Sequence, residues 1–366
     1  MEAWHSLATH GLGSLNGRNK QEDVVGMLST NSNYNDYWQD KRAKVENINV
    51  PAYVLASYST FLHTFGSFRG YQGLSNENKW LRVHATQEWH DLYKKSTNDE
   101  LQAFLDRYTK DIENGWEETP KVRVSVIRFD QPPITDLLLP SWPPPAAKDR
   151  TFYLSSNSAL EDQLASSTGV ATYQADLPAL QMDADPGELR FSYTFDKQST
   201  ILGTSRATLY MSTHDADDMD VFVQLRKADK DGNLLQYNNI PAEDWHAAGE
   251  TDTELVNPLV YLGPTGCLRA SYRTLNDDLS NTIWAEHDFQ KTEKLQPQEI
   301  VKLEIGLWQT GMRFEPGEQM ILKIAGHNMT LAEFPPLRGA LPNANNGMHM
   351  VHFGGQSPSQ IVIPFM

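Results

Sequence analysis

The first third of the chain alternates short apolar runs with helical patterns. Residues 50–58 form a nearly continuous apolar run, which is typical of a strand buried on both faces of a parallel sheet. A helical segment over 64–74 leads to a second short strand over 79–84. Apolar residues at three- and four-residue spacings then predict a helix over 98–114. The order strand, helix, strand, helix predicts parallel pairing through crossover connections.

Two regions of different character flank this part of the chain. Upstream, residues 21–47 carry an apolar stripe that predicts two helices, with a turn at the polar residues 31–33. Downstream, residues 131–147 contain six prolines. This composition predicts a linker in extended or polyproline form.

From about Glu188 onward, apolar and polar residues alternate with the period of β-strands. Turn sequences such as Asp231-Gly232-Asn233 separate the alternating segments. Many short strands with polar turns and no helical pattern predict a sandwich or jelly roll. The clearest segments are 190–195, 207–212, 220–225, 301–305 and 320–324.

Composition and charge narrow the classes of partner. The 31 basic and 47 acidic residues give a net charge of −16, which would repel a phosphate backbone, so we expect no nucleic-acid partner. No run of about 18 apolar residues occurs, so we expect no membrane partner. The N-terminus lacks the basic and apolar regions of a signal peptide. The single cysteine, Cys267, excludes an intramolecular disulfide and favours a cytoplasmic location; we expect it to be a small core residue.

Several longer motifs together resemble one family of serine hydrolases. The chain is similar, from about Asp36 to its end, to the cocaine-esterase and X-prolyl dipeptidyl-peptidase group, the CocE/NonD family. That family combines an α/β-hydrolase domain, a helical cap inserted into it and a C-terminal jelly roll. The segments that carry the resemblance are Trp38-x-x-Lys41, 47–52, 62–67, 79–84, 104–108, 114–123, 218–225, 266–273, 314–318 and 354–364.

The patterns and the resemblance predict a fold of the α/β plus all-β class. Residues 1–46 would be a remnant of the helical cap, and residues 47–130 the C-terminal part of an α/β-hydrolase domain. A proline-rich linker would occupy 131–180, and a jelly-roll β-sandwich would fill 181–366.

The resemblance implies a Ser-Asp-His triad, of which this sequence keeps one member. No G-x-S-x-G occurs, so the elbow that presents the serine is missing. The family's acid follows the strand that here leads into Ser59 and Thr60, and neither hydroxyl can carry the charge that stabilises an imidazolium. The family's histidine follows the next strand, where His84 is the matching residue. His84 is therefore the candidate catalytic base, with a purely structural histidine as the alternative.

Three further residues are candidates for contact with substrate. Ser59 and Thr60 stand at the acid position, and His63 follows the same strand, so all three could line one pocket. For His63, a helix cap or a buried hydrogen-bonding histidine is the alternative. Glu88 could in principle replace the missing acid, although no pattern in the sequence places it beside His84.

The segment 214–220 places four carboxylates and one imidazole close together in the sequence. Calcium accepts such oxygen ligands, but the glycine and glutamate of an EF-hand loop are missing. A solvated acidic turn is the favoured interpretation, and we expect no metal and no other cofactor.

Three functional hypotheses follow. In the first, the chain is a truncated serine hydrolase of X-prolyl dipeptidyl-peptidase type that cleaves a small-molecule ester or amide. In the second, it is a hydrolase-like protein without hydrolytic activity that binds or transforms an apolar small molecule at the domain junction. In the third, the exposed edge of a partial sheet makes it a structural partner that forms a homo-oligomer.

Overall fold

The computed structural model describes residues 22–60, 63–164, 166–179, 185–242, 244, 260–330 and 343–366. Short helices come first, and strands dominate from residue 120 onward. In the described part of the chain, no helix has the length and apolar character needed to cross a membrane. The α-helices in the described residues are α1 (Val24–Thr30), α2 (Asp36–Lys41), α3 (Thr64–Gly73), α4 (Glu88–Leu92) and α5 (Lys95–Thr109).

The two predicted helices before the first strand are confirmed where the structure describes them. Asp23 caps α1, since its carboxylate accepts a hydrogen bond from the Gly26 N–H at 3.0 Å. Asn35 caps α2 by accepting from the Tyr37 N–H at 3.1 Å. The residues between the two helices form the predicted turn. Gln21, where the predicted region begins, lies outside the described residues.

A four-stranded sheet contains β1 (Ala52–Ser57), β2 (Lys79–His84), β3 (Val122–Val126) and β4 (Ile134–Leu139) in that order. The pairings β1–β2 and β2–β3 are parallel, which confirms the prediction from the strand and helix order. The register places Ser57 opposite His84, so the two strands end together. β1 forms one edge of this sheet among the described strands.

The proline-rich region is not the extended linker that the sequence predicts. Its first part forms β4, which pairs antiparallel with β3 from Val126↔Ile134 to Val122↔Leu139. The prolines lie outside β4, with Pro133 before it and Pro140 after it, so they bound the strand without removing a ladder hydrogen bond. Residues 148–174 then supply β5 (Lys148–Leu154), β6 (Leu160–Glu161) and β7 (Gly169–Gln174), again strands in place of a linker.

Two antiparallel sheets form a β-sandwich, which confirms an all-β part after a mixed α/β part. The further strands are β8 (Glu188–Thr194), β9 (Ser199–Thr213), β10 (Asp220–Ala228), β11 (Tyr237–Asn238), β12 (Val260–Tyr261), β13 (Thr265–Arg269), β14 (Val301–Phe314), β15 (Gln319–Ala325), β16 (Met348–Phe353) and β17 (Gln360–Phe365). One sheet has the order β13-β10-β15-β8, and the other has β6-β5-β17-β9-β16-β7 with β14 also pairing to β9. Buried apolar side chains of both sheets belong to one core, which continues to the parallel sheet.

Cys267 is exposed on β13, so the prediction that it belongs to the core is wrong. Its neighbours Gly266 and Leu268 explain the error. The apolar character of this segment comes from residues around the cysteine, whereas strand alternation turns the cysteine itself outward.

Backbone hydrogen bonds join the parallel sheet to the sandwich. The Ile127 N–H donates to the Gly311 carbonyl at 2.8 Å, and the Arg313 N–H donates to the Ile127 carbonyl at 3.0 Å. The chain leaving β3 therefore adds directly to β14. A Cβ on Gly311 would lie 2.7 Å from the Ser125 carbonyl oxygen, so this close approach requires glycine.

A buried ammonium group reinforces the same junction. Lys227 Nζ donates to the carbonyls of Arg128 at 3.0 Å and Arg313 at 2.9 Å. It also forms an ion pair with Glu318 at 2.7 Å, and only 1% of the Lys227 side chain is exposed. The ammonium thus satisfies polar groups from both parts of the fold at a site without access to water.

Lys227→Met should destabilise the protein by about 3 kcal/mol or more, since it leaves a buried carboxylate and two carbonyls without their cation. Urea unfolding at pH 7 measures this loss. In the double variant Lys227→Met, Glu318→Gln, part of the stability should return because the uncompensated charge is gone. A loss below about 1 kcal/mol in the single variant would show that water compensates the site.

A fully buried histidine on β16 should make the protein acid-sensitive. The His349 Nδ1 atom lies 2.9 Å from the Tyr173 hydroxyl, and burial lowers the pKa of His349 to about 4. The unfolded chain, with an ordinary histidine pKa of about 6.5, therefore binds the proton first as the pH falls. The contribution of neutral His349 to the free energy of unfolding is fully present above pH 6.5 and is lost as the pH falls toward 4. Between pH 7 and pH 5 the loss is about 2 kcal/mol.

The measurement is the free energy of unfolding in urea at both pH values. His349→Asn should remove about 2 kcal/mol of the pH-dependent difference, whatever its effect on stability at pH 7. The exposed His214→Asn serves as the matched control and should leave the difference unchanged. An equal pH dependence in wild type and His349→Asn would assign the effect to other groups.

Candidate functional site

His84 is the last residue of β2 and lies at the carboxyl end of the parallel sheet. Only 7% of the residue is exposed. Sheets of this kind place functional groups beyond the carboxyl ends of their strands, where the connecting loops meet. The residue that the sequence singles out as a base therefore stands where such a sheet would present one.

The loops after β1 and β2 are tied together by serine hydroxyls. Ser57 Oγ donates to the Thr86 carbonyl at 2.6 Å, and Ser59 Oγ donates to the Ala85 carbonyl at 3.0 Å. The Ser59 N–H also donates to Ser57 Oγ at 3.0 Å. The hydroxyl of Ser59 is thus engaged in holding the backbone next to His84.

A residue from the sandwich side completes this loop structure. Asn239 Nδ2 donates to the Ser59 carbonyl at 3.2 Å, and the Gln87 N–H donates to the Asn239 carbonyl at 2.8 Å. Asn239 therefore connects both loops, one after each parallel strand. The sequence offers no signal for this role, because Asn239 lies 155 positions beyond His84.

The imidazole of His84 has a different neighbour at each nitrogen. Nδ1 lies 3.2 Å from the Thr86 hydroxyl. Nε2 lies 3.9 Å from Asp91 Oδ2, which is too long for a hydrogen bond but close enough for electrostatic interaction. Asp91 belongs to α4, whose first turn is capped by Gln87 through its side-chain oxygen and the His90 N–H at 3.1 Å.

Asp91 is a buried carboxylate with cationic and hydroxyl partners. The guanidinium of Arg82 contacts both of its oxygens, and Thr97 Oγ1 lies 3.4 Å from Asp91 Oδ2. Arg82 in turn pairs with Glu100 at 3.4 Å. These contacts fix the carboxylate, and Arg82 offsets part of its charge, which leaves Asp91 as a moderate electrostatic influence on His84.

Burial lowers the pKa of His84 to about 4, with the charge of Asp91 opposing the shift and that of Arg82 adding to it. At neutral pH the imidazole is therefore uncharged and can accept a proton. It is a weak base, however, since no carboxylate of the described residues forms a hydrogen bond with it that would stabilise the imidazolium.

The other predicted site residues are distributed unevenly around His84. Ser59 lies against the backbone after His84, and Thr60 is buried with no hydrogen-bond partner for its hydroxyl among the described residues. His63 is exposed at the start of α3, and its side chain makes no capping hydrogen bond there. Among the described residues, Asp91, three residues after Glu88, is the carboxylate that lies within 4 Å of the His84 imidazole.

Sequence reasoning missed Asp91, although a signal was present. A short polar segment, Gln87-Glu-Trp-His-Asp91, follows the strand that ends at His84. Gln87 caps α4, and Asp91, the fourth residue of that helix, lies beside His84 at the strand end. To choose Asp91 over Glu88, one must know at which residue the helix begins, and the sequence alone gives that residue only to within a few positions.

The acidic segment 214–220 is occupied by its own basic partners. Asp218 pairs with Lys294 at 3.2 Å, and Asp220 pairs with Arg269 at 2.7 Å. These ion pairs agree with the interpretation as a polar turn and use the carboxylates that a cation would need.

A cavity of about 1160 Å³ lies between α2, α3 and the sandwich. Phe65 stacks on Trp284 with ring centroids 4.8 Å apart, and Arg69 pairs with Glu286 at 2.8 Å along its wall. A cleft therefore exists where the second hypothesis expects one. None of Ser59, Thr60, His63 and His84 lines this cavity, so it is separate from the His84 site in the described structure.

Comparison with known proteins identifies the sandwich. Residues 114–362 match the X-Pro dipeptidyl-peptidase C-terminal non-catalytic domain. A CocE/NonD family hydrolase from Staphylococcus aureus is similar in structure with a TM-score of 0.80 and 29% identity, over 94% of this chain and 59% of that one. No curated protein matches the chain.

Two more distant structures share the fold. An aminopeptidase from the marine sediment archaeon Thaumarchaeota archaeon has a TM-score of 0.69 and 15% identity, over 99% of this chain and 61% of its own. An α-amino acid ester hydrolase has a TM-score of 0.65 and 17% identity, over 98% of this chain and 62% of its own.

The chain thus spans about three fifths of the length of these solved structures. The matched domain covers well over half of the sequence and includes the sandwich from β5 to the first half of β17. Its description calls that domain non-catalytic, whereas His84 lies upstream of the match. The chain belongs to the family that carries the X-Pro dipeptidyl-peptidase C-terminal domain, within the CocE/NonD group of hydrolase-related proteins.

Proposed function

We propose that this chain supplies the base-bearing part of a CocE/NonD-type serine hydrolase that cleaves a small-molecule ester or amide bond. The observation that carries the proposal is His84 itself. It is buried, uncharged at neutral pH and placed at the carboxyl end of a parallel strand, at the position that the family resemblance assigns to the catalytic histidine. The similar structures include an aminopeptidase and an ester hydrolase, which supports this class of substrate.

In this proposal His84 takes the proton from an attacking hydroxyl whose oxygen bonds to the substrate's carbonyl carbon. When the ester or amide bond breaks, the same nitrogen returns the proton to the leaving group. No G-x-S-x-G is present in the 366 residues, so a serine nucleophile would come from outside them. In the described part of this chain, water or a nearby hydroxyl would have to be the attacking group.

Thr60 weakens the base in this proposal, since it stands where the family has its acid. The loop after β1 is bonded to the backbone after His84, so a carboxylate at position 60 would enter the surroundings of the imidazole. Asp91 does not replace it, because its nearest oxygen lies 3.9 Å from Nε2 and is shared with Arg82. The low pKa of His84 agrees with an incomplete triad.

Thr60→Asp should raise the pKa of His84 from about 4 by one to two pH units, because a nearby carboxylate favours the imidazolium. An NMR titration of the His84 ring protons, assigned with His84→Ala, measures the shift. Thr60→Asn is the uncharged control of matched size and should leave the pKa near its wild-type value. Equal shifts in both variants, or none in Thr60→Asp, would place position 60 out of electrostatic reach of His84.

Hydrolysis of a generic aryl ester and of an X-prolyl anilide should depend on His84. His84→Ala should lower kcat/KM for the cleaved substrate at least about 100-fold, as expected for loss of a general base. The rate should rise as the pH increases through about 4 and stay level above it, because only the neutral imidazole accepts a proton. The exposed His214→Ala is the control and should keep the wild-type rate.

Wild-type protein that cleaves neither substrate between pH 5 and pH 9 would contradict hydrolysis by this chain alone. Cleavage that survives in His84→Ala would contradict the role of His84. Preference for the ester or the X-prolyl anilide would distinguish the two substrate classes within the family.

A further inference from the structure

A second buried cluster lies at one end of the β8–β15 pair, away from His84. Asp185 lies three residues before β8, Glu188 is the first residue of β8, and His327 follows the end of β15. The pairing of Glu188 with Ala325 brings these segments together. One carboxylate oxygen from each acid and one imidazole nitrogen all lie within 4.8 Å of one another.

All three side chains are almost completely buried. The exposed fraction of the side chain is 2% for His327, 0% for Asp185 and 1% for Glu188. His327 Nε2 lies 3.8 Å from Asp185 Oδ2 and 3.7 Å from Glu188 Oε1. Both distances exceed a hydrogen bond, and among the described residues Nε2 has no hydrogen-bond partner.

Hydrogen bonds and ion pairs orient the three side chains around the shared centre. His327 Nδ1 donates to the Leu177 carbonyl at 3.2 Å, so in the neutral imidazole the lone pair of Nε2 is directed at the carboxylates. The Gly187 N–H donates to Asp185 Oδ1 at 2.9 Å, so the other oxygen, Oδ2, faces Nε2. This is how outer contacts orient the ligands of a metal.

The same arrangement holds for Glu188. Lys323 pairs with its Oε2 at 2.7 Å, and Arg190 approaches the same oxygen at 3.8 Å. Both cations therefore lie on the side of Oε2, whereas Oε1 is the oxygen that lies nearest to His327.

We propose that Asp185, Glu188 and His327 bind a divalent transition-metal ion of the Zn²⁺ class through Oδ2, Oε1 and Nε2. A lone pair facing two carboxylates is repulsive unless a proton or a metal cation lies between them, and the two carboxylates beside one imidazole supply the ligand set for the metal. At Zn–N and Zn–O distances of about 2.0–2.2 Å, the 3.8 and 3.7 Å separations would give N–Zn–O angles of about 115–145°. A shift of a few tenths of an ångström in each ligand would bring these angles to the tetrahedral value. One imidazole with two carboxylates favours Zn²⁺ over Ca²⁺ or Mg²⁺, which prefer oxygen ligands alone.

The packing around His327 leaves little room for rearrangement. A Cβ on Gly187 would lie 3.4 Å from His327 Cε1, and one on Gly326 would lie 2.2 Å from the Ala175 carbonyl oxygen. Two glycines thus allow three chain segments to meet around the imidazole. A bound ion would join the segment before β8 to the loop after β15, so its effect would be to stabilise this edge of the sandwich.

The test is titration of the chelator-treated full chain with Zn²⁺, followed by calorimetry and by elemental analysis of the dialysed protein. We expect one equivalent of Zn²⁺ with a Kd in the micromolar range or tighter, and a melting temperature that rises with Zn²⁺ concentration. Ca²⁺ should bind at least about 100-fold more weakly. Absence of saturable Zn²⁺ binding in the wild type would overturn the proposal.

Variants separate coordination from adventitious binding. Asp185→Asn and His327→Leu should each weaken Zn²⁺ binding at least about 100-fold, while the exposed His214→Ala should leave it unchanged. Because His327→Leu could fold poorly, the isosteric Asp185→Asn keeps the test decisive. Zn²⁺ binding that survives in Asp185→Asn and is lost in His214→Ala would place the ion at the surface and reject the site.

Lys323→Met distinguishes a metal site from a plain network of ion pairs. With a metal, removal of the competing ammonium should keep or tighten Zn²⁺ binding, and added Zn²⁺ should restore the melting temperature. If the cluster is an ion-pair network without a metal function, Glu188 loses its partner, the melting temperature falls and Zn²⁺ does not restore it. That second result would overturn the proposal.

Discussion

The ammonium of Lys227 and the backbone bridge of Ile127 hold the two parts of this fold in one arrangement. The bridge adds the end of β3 to β14, and Lys227 closes the same junction with two carbonyls and Glu318. Because β3 pairs with β2, the position of His84 at the end of β2 is fixed relative to the sandwich. Asn239 then makes a second connection, directly at the loops beside His84.

The sequence predicted those elements whose evidence is local. The run 50–58, the strand 79–84 and the helix between them appear close to their predicted bounds, because apolar periodicity reports burial within a single element. The prediction was wrong at residues 131–147, where the proline content suggested a linker. Prolines that bound a strand and prolines that replace one give the same composition, and only the pairing of β4 with β3 distinguishes them.

The candidate sites show the same division. His84 could be named from a family motif, and its neighbour Thr86 lies two residues away. The cluster of Asp185, Glu188 and His327 could not be named from the sequence. His327 lies about 140 positions beyond the two acids, and the antiparallel register of β8 and β15 brings it to them. Chemistry assembled by strand pairing leaves no trace in spacing, whereas chemistry placed at the end of one strand does.

Strand β4 also has a consequence for how the chain would respond to proteases. Proteolytic nicking concentrates in exposed, flexible segments, and linkers between domains are usually of this kind. Here the boundary segment donates a strand to the sheet and buries Trp142 beside Phe68. Opening it would strip β3 of one neighbour and expose that aromatic contact. The proline-rich boundary should therefore resist nicking, and the sandwich and the parallel sheet would persist or be degraded together.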